Sequence, residues 1–412
     1  MKKFANKSEK LFARLCEKQF LKHYIFYKGC CETSNGEIEV GDLIFWLRDI
    51  LIVVELLWRE KKDKNTKSFV KRIGEKRKQL KKDRKYFESE KEIYLLNGNE
   101  QIKYWNNAFH IFHGIIVIDS KIELDKLDHQ QYKKTLNEDF PIAIMRKNDF
   151  QDLFEEIDTV PDLYYYLFDR YKFVKKLFNM NSHIFRDLNI NTEKELIGYY
   201  KYNENNFPLE NWDFKKFKKY WKEYKSNYKN KIIKRNLENR KSYKIDKLIY
   251  QIRNIHEEGK NDKDSIKHAW QLSLFTRRGR AQFADKILSG FERIHQKNKK
   301  RFFSIQNPVS ECWLFFYFKN SMNSEKFQDI AYKEAQNKLI FEMKKNKFEH
   351  SVFLYSFRKS SIDTGRDFDE IYLDILDADM IDTNSDSFKN VNLEELDKCG
   401  YYEPMEIKEF PD

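Results

Sequence analysis

Glycine and proline are scarce in this chain, at 12 and 6 of 412 residues. Because these two residues make most tight turns, their scarcity favours long helices joined by few turns. Apolar residues make up 41% of the chain and aromatic residues 16%, a composition typical of a globular protein rather than a disordered one. At this length we expect two or three domains, each large enough to bury a hydrophobic core.

Cysteine is also rare, with five residues that form no Cys-x-x-Cys pair. Their odd number and their spacing argue against a disulfide framework and against a structural zinc site. A reducing, cytoplasmic location fits this usage best. The basic N-terminus has no long apolar stretch, so it does not resemble a signal peptide.

Long apolar runs and several well-known motifs are missing as well. The longest apolar run, Ile50–Trp58, is too short to span a bilayer and contains Glu55, so we expect no membrane. The sequence contains no GxxxxGK phosphate loop, no GxSxG elbow and no HExxH pattern. These absences argue against hydrolysis of ATP or GTP and against an esterase.

Positive charge is abundant and unevenly distributed. The formal net charge of the whole chain is +12, yet residues 363–412 hold sixteen acidic and four basic residues. That segment has a net charge of −12, which leaves +24 on residues 1–362. A body this basic is expected to attract polyanions, nucleic acid above all. The alternative is a compositional bias towards lysine, with surface charges that are simply solvated.

The first 150 residues alternate between helical segments and short apolar runs. A helix is predicted over residues 6–21, and a basic helix over Lys67–Phe87. Strands are predicted at Leu43–Trp46, Leu51–Val54, His113–Asp119 and Phe140–Arg146. This order predicts a three-layer α/β core, in which a mixed sheet is flanked by helices.

Two further regions and a tail follow the predicted core. Residues 151–299 are mainly helical in pattern. Residues 300–380 alternate again and predict a small α+β module with strands at Glu311–Phe318, His350–Arg358 and Asp369–Leu376 around a helix at Glu325–Lys345. Residues 381–412 form an acidic C-terminal tail.

Two carboxylates stand out in the predicted core. Asp42 is at the head of one predicted strand, and Glu55 lies inside the next one, thirteen residues on. Burial of an unpaired carboxylate is costly, so Glu55 is expected either to bind a cation or base, or to lie on an exposed side of its strand. Gly41 would let a ligand or the backbone approach Asp42 closely. Carboxylates on solvated strand ends are the simpler explanation of such a pair.

Residues 1–170 resemble the PD-(D/E)XK, or restriction-endonuclease-like, nuclease superfamily. In that family the second carboxylate begins a Glu-x-Lys triplet. The triplet here is Glu55-Leu56-Leu57, so leucine stands where the family has lysine. Family members are known in which the lysine has migrated. The resemblance therefore implies that Lys71, Lys78 or Gln79, on the helix after the strands, replaces the missing charge.

The resemblance also implies a function. It is metal-assisted hydrolysis of phosphodiester bonds, with Mg²⁺ (or Mn²⁺) held by Asp42 and Glu55 and with Glu9 assisting; Glu17 is the rival of Glu9. DNA is favoured over RNA as the substrate, and a role in bacterial defence against phage follows by analogy. A homodimer, or a partner protein from a defence operon, is a further expectation.

Basic residues elsewhere are predicted to bind nucleic acid. They are Lys78, Lys82, Arg277, Arg278 and Arg280. The three arginines either contact phosphate, or cap a helix and pair with acidic neighbours. Two other functions stay open at this point: a nuclease-fold protein that binds nucleic acid without cutting it, because Leu57 has removed the catalytic cation, and a structural or interaction protein.

Overall fold

The computed structural model describes residues 24–33, 36–58, 66–89, 92–97, 100–104, 111–119, 134–180, 193–208, 219–227, 229–254, 263–294, 300–307, 310–320, 323–346, 350–359 and 368–389. These residues belong to two compact units, the first ending at Ile233 and the second beginning at Lys234. The predicted boundaries near residues 150 and 299 lie inside these units. The helix predicted over residues 6–21 lies outside the described residues.

The first unit combines strands and helices. Its strands are β1 (Ile25–Phe26), β2 (Lys28–Thr33), β3 (Gly36–Val40), β4 (Leu43–Leu47), β5 (Ile50–Trp58), β6 (Ile93–Asn97), β7 (Glu100–Tyr104), β8 (Ile111–Asp119) and β9 (Ile142–Arg146). Its helices are α1 (Thr66–Glu88), α2 (Lys147–Glu156), α3 (Val160–Met180), α4 (Glu193–Tyr202) and α5 (Tyr220–Asn227). The basic helix predicted over Lys67–Phe87 is thus confirmed to within one residue at each end.

The main sheet of this unit has five strands in the order β1-β4-β5-β8-β9. β4 runs antiparallel to β1 and β5, whereas β8 runs parallel to β5 and β9. The turn between β4 and β5 is at Arg48–Asp49, and Arg48 adopts the left-handed region with a φ of 50°. All four strands predicted in the core are therefore confirmed, and the sheet is mixed.

Helices cover both faces of the main sheet. Gly114 in β8 faces α1, since a Cβ atom added there would lie 2.8 Å from Cδ1 of Leu80. Its neighbour His113 faces α3, where its ring packs against Tyr164 with the ring centroids 5.6 Å apart. Successive residues of a strand point to opposite faces, so α1 and α3 lie on opposite sides. The predicted three-layer arrangement is confirmed.

A second sheet in the first unit is wholly antiparallel, with the order β3-β2-β6-β7. It was not predicted from the sequence. β3 has three exposed residues out of five, and β7 reads Glu-Gln-Ile-Lys-Tyr. Such polar strands lack the apolar run that identifies a buried strand.

A buried ionic cluster joins three helices of the first unit. In α3, Arg170 forms an ion pair with Glu193 in α4, with Nη2 2.6 Å from Oε2, and Tyr166 donates a hydrogen bond to the same carboxylate. Asp149 in α2 is also buried, and its Oδ2 has no hydrogen-bond partner. Burial, followed by repulsion from Glu193, raises the pKa of Asp149 to about 7.

The second unit begins within a long helix and ends in a sheet. Its elements are α6 (Lys229–Arg253, which crosses the boundary), α7 (Lys263–Ser273), α8 (Arg277–Ile294), β10 (Lys300–Gln306), β11 (Trp313–Asn320), α9 (Ser324–Asn346), β12 (Val352–Lys359), β13 (Glu370–Leu376), a 3₁₀ turn (Ala378–Met380) and α10 (Asp386–Lys389). The predicted helix and three strands of the α+β module are present.

The sheet of the second unit has the order β10-β11-β12-β13. β11 and β12 are parallel, and α9 makes the crossover between them. α8 packs very closely on β11, since a Cβ atom added at Gly290 would lie 2.6 Å from Cζ of Phe318. Among the described residues, no helix combines the length and apolar character needed to cross a membrane.

Candidate active site

Asp42 is held in place by the strand beside it. Its backbone N–H donates to the carbonyl oxygen of Val54 over 3.1 Å, and its side-chain Oδ2 accepts a hydrogen bond from the Leu56 N–H over 2.7 Å. These two bonds fix the Asp42 carboxylate against β5 on either side of Glu55. The two carboxylates that the sequence singled out therefore lie together.

Gly41 is needed for this approach. It adopts a φ of 69°, and a Cβ atom there would lie 2.9 Å from Cγ1 of Val53 and 3.1 Å from Cγ1 of Ile44. Both the backbone conformation and the space therefore exclude a larger residue.

Gly41→Ala is expected to destabilise the protein by about 2–4 kcal/mol, because left-handed strain and overpacking add together. Gly36→Ala is the matched control, since Gly36 also has a positive φ but would place its Cβ in open space. We expect the control to cost only about 1–2 kcal/mol, from the left-handed backbone alone. Urea unfolding of both variants measures the difference. Equal losses of stability would show that close packing at Gly41 contributes nothing.

Glu55 is buried in the middle of the main sheet, with 3% of its surface exposed. Leu57, two residues further along β5, points to the same face of the sheet. Both side chains line one pocket. Leu57, where the resemblance to the PD-(D/E)XK family predicts a lysine, therefore places an apolar side chain at the candidate site.

Lys76 in α1 supplies the cation instead. Its Nζ lies 3.1 Å from Oδ2 of Asp42 and 2.5 Å from Oε2 of Glu55. Burial acts to lower the pKa of Lys76, but the charges of Glu55 and Asp42 outweigh it and raise that pKa above its ordinary value. The ammonium group is therefore charged and lies between the two carboxylates.

Sequence reasoning missed Lys76, although a signal for it was present. It lies three residues after Ile73 and four before Leu80, both buried, so it shares the inward face of α1. The predicted replacements Lys71 and Lys78 are exposed and lie off this face. Of the three residues proposed, Gln79 alone lines the pocket.

Asp83 is a second residue that sequence reasoning missed. It lies seven residues, or about two helical turns, after Lys76 on α1 and is completely buried. Gln79 donates a hydrogen bond to its Oδ1 over 2.7 Å. Its other oxygen, Oδ2, is buried and has no hydrogen-bond partner.

The site has more negative than positive charge. Burial, followed by repulsion from Asp42, raises the pKa of Glu55 well above its ordinary value, although Lys76 opposes the shift. Burial also raises the pKa of Asp83 to about 6. One ammonium group faces three carboxyl groups, so the cluster stabilises either a bound proton or a further cation.

An open pocket of about 390 Å³ gives access to the cluster. It lies beside the end of β5 and the first half of α1. Its lining residues are Glu39, Gly41, Asp42, Glu55, Leu57, Arg72, Glu75, Lys76 and Gln79. The pocket is therefore polar, and charged groups of both signs surround it.

The donor set fits a weakly held divalent cation. Asp42 and Glu55 already direct one oxygen each towards a common cation, the ammonium group of Lys76. Mg²⁺ is often held by one or two carboxylates, with waters and substrate oxygens in the other positions. Within the described stretches, no three His, Cys, Asp or Glu side chains are grouped to hold a metal ion. Glu9 and its rival Glu17 lie outside those stretches, so only Asp42 and Glu55 are placed.

The remaining predicted nucleic-acid ligands divide into two groups. Lys78 and Lys82 are exposed on α1. Arg277, Arg278 and Arg280 are buried, which argues against their predicted contact with phosphate.

Asp246 in α6 explains the burial of two of these arginines. Nη1 of Arg280 lies 2.7 Å from Oδ1 of Asp246, and Arg277 pairs with the other oxygen. Arg280 also donates to the carbonyl oxygens of Ser273 and Phe275 at the end of α7. Arg277 and Arg280 therefore follow the second interpretation, in which the arginines cap a helix and pair with acidic neighbours.

Comparison with known proteins finds no matching family model, no similar curated protein and no similar solved structure.

Proposed function

We propose that this chain is a metal-dependent nuclease of the PD-(D/E)XK type, with DNA favoured as its substrate. The observation that carries the proposal is the position of Lys76, whose ammonium group lies between Asp42 and Glu55. The order of elements in the main sheet also supports it. The antiparallel pair β4 and β5 is followed by α1 and, after strands β6 and β7 of the other sheet, by β8, which is parallel to β5.

In the proposed site, Asp42 and Glu55 hold Mg²⁺ or Mn²⁺. A bound ion of this kind supplies an activated water molecule and neutralises the charge that develops on phosphorus. Leu56 donates its N–H to Asp42 and so orients that carboxylate. Lys76 pairs with Glu55 from the helix side, and Gln79 holds the neighbouring Asp83 through a hydrogen bond. These contacts hold the carboxylates in place before the substrate arrives.

Lys76 has the role that the family gives to the lysine of its triplet. Its ammonium group lines the pocket, so it is able to donate a hydrogen bond to a phosphoryl oxygen or to the attacking water there. A preorganised cation at this point stabilises negative charge in the transition state. The alternative of a non-cutting protein rests on the loss of the cation at Leu57, and Lys76 is the residue proposed to replace that cation.

The direct test is cleavage of labelled single- and double-stranded DNA and RNA with Mg²⁺ or Mn²⁺. We expect the parent protein to cut and a chelator to abolish cutting. Glu55→Gln should raise the metal concentration for half-maximal rate at least about 10–100-fold, because the loss of a direct ligand should cost no less than the loss of an outer-shell partner. Lys78→Ala, an exposed change on the same helix, is the control and should leave that concentration unchanged. The proposal is wrong if the parent cuts no substrate with either ion.

A further inference from the structure

Helix α6 has two chemically distinct faces. It contains nine basic and two acidic residues among 25. Its inner face is apolar and buried, with Ile245, Leu248, Ile249 and Ile252. The opposite face is exposed along the part of the helix that belongs to the second unit.

The exposed face alternates cations and aromatic rings. Arg240, Lys244 and Lys247 follow one another at spacings of four and three residues, and all three are exposed. Tyr243 and Tyr250 lie beside them at helical spacing, with 54% and 49% of their surfaces exposed. These five residues are called the α6 stripe.

Both acidic residues of α6 lie off the stripe. Asp246 turns inward to Arg277 and Arg280. Glu238 pairs with Lys241, which is also bound to Asp285 in α8. Acidic side chains of α6 therefore do not interrupt the positive charge of the stripe.

One aromatic ring of the α6 stripe, that of Tyr243, packs against a buried cation. The guanidinium group of the buried Arg277 lies 5.0 Å from the centroid of the Tyr243 ring. A cation against an aromatic face limits the movement of the ring. An exposed aromatic ring that is held in this way is able to stack on a flat ligand with little loss of entropy.

A pocket of about 550 Å³ adjoins the stripe, between α6 and α8. Lys244 and Lys247 line it on the α6 side, and Phe291 and Phe368 line it opposite, with their rings stacked at a centroid distance of 5.4 Å. The volume lies within the usual range for a site that takes a small organic group. One carboxylate, Asp369, also lines the pocket, so its cations outnumber its anions by two to one. Cations beside aromatic rings suit a phosphate and its attached base.

We infer that the α6 stripe and its adjoining pocket bind single-stranded nucleic acid. Exposed rings interleaved with cations are the surface that stacks unpaired bases and neutralises their phosphates. Duplex nucleic acid keeps its bases stacked internally and offers only phosphates to such a face. The inference rests on the proposed function in taking nucleic acid as the polyanion, and it assigns the second unit a part in recognition.

The test is fluorescence anisotropy with a labelled oligothymidylate, using full-length protein that carries Lys76→Met, in the presence of a chelator, so that the probe stays intact. Tyr243→Ala/Tyr250→Ala is expected to weaken binding about 10–100-fold without changing its salt dependence. Lys244→Ala/Lys247→Ala is expected to weaken binding about tenfold and to reduce the slope of log affinity against log salt by about 1.4. Lys326→Ala/Lys333→Ala removes two exposed lysines from α9 and serves as the charge-matched control, with no expected change. Circular dichroism of each variant checks that it is folded.

Three results would overturn the inference. The first is that both stripe variants bind the probe as the control does. The second is that the lysine variant alone weakens binding and duplex DNA binds equally well, which indicates a general polyanion surface. A peptide of residues 390–412, the acidic end of the chain, is added as a competitor; if it binds the stripe more tightly than the oligonucleotide does, the occupant is that segment and the inference is wrong. Oligonucleotide binding by the stripe in a protein that never cuts would instead count against the proposed function alone.

Discussion

Lys76→Met is expected to lower the rate of phosphodiester cleavage about 100–1,000-fold, the usual loss when one preorganised donor to transition-state charge is removed. Methionine keeps the apolar stem of the side chain and removes only the ammonium group. Binding of the substrate should change little, because the basic surface as a whole supplies most of that affinity. Single-turnover cleavage at saturating enzyme measures the chemical step directly.

A second substitution tests whether the ammonium group itself matters. Leu57 faces the same pocket as Glu55, so Leu57→Lys in the Lys76→Met protein returns the cation to the position that the PD-(D/E)XK family uses. We expect this double variant to recover at least about tenfold of the lost rate, since it restores one charged donor at the transition state. Lys78→Met is the matched control on the exposed side of α1 and should cut at the parental rate. If Lys76→Met and Lys78→Met behave alike, Lys76 has no part in the chemistry.

The stability of the protein is expected to depend on pH through Asp149. Its pKa is about 7 in the folded protein and 3.8 in a free side chain, so between these values the folded state keeps a proton that the unfolded state has lost. The free energy of unfolding therefore falls as the pH rises through this window. At about 1.4 kcal/mol for each pH unit, the contribution of Asp149 amounts to about 4 kcal/mol.

Asp149→Asn removes this titration and keeps the side chain neutral at every pH. Its free energy of unfolding, relative to that of the parent, should therefore rise by about 4 kcal/mol between pH 4 and pH 8. Urea unfolding at several pH values, in the presence of a chelator, gives the comparison. Asp139→Asn is the control, because the Asp139 side chain is 73% exposed. If the difference in the free energy of unfolding between Asp149→Asn and the parent stays the same at every pH, the folded protein does not hold this proton.

Much of the fold was predictable from apolar patterning. The runs around Leu43–Trp46, Leu51–Val54 and His113–Asp119 are buried strands, and such strands are nearly all apolar because helices cover both their faces. The antiparallel sheet that contains β3 and β7 was missed, because one exposed face leaves short strands with a largely polar sequence. Pairing between distant segments, rather than local pattern, defines those strands.

The candidate site was predictable only in part, because it too depends on contacts between segments that are distant in the sequence. Asp42 and Glu55 were found because a carboxylate inside an apolar run is conspicuous. Lys76 is one of many lysines on a basic helix, and only the rotation of α1 about its axis separates it from the exposed Lys71 and Lys78. Ile73 and Leu80 mark the buried side of the helix, and their helical spacing from Lys76 shows that Lys76 lies on that side.

The carboxylates lie on the sheet, and the ammonium group lies on a helix that is separate in the chain. The site is therefore complete only while α1 packs against the main sheet, and any activity of the site depends on that packing. A single residue inserted between Ile73 and Lys76 would turn the second half of the helix by about 100° and carry the lysine away from both acids. In the proposed nuclease, cleavage would therefore be lost whenever the helix has shifted or detached, and partly folded chains would leave nucleic acid uncut.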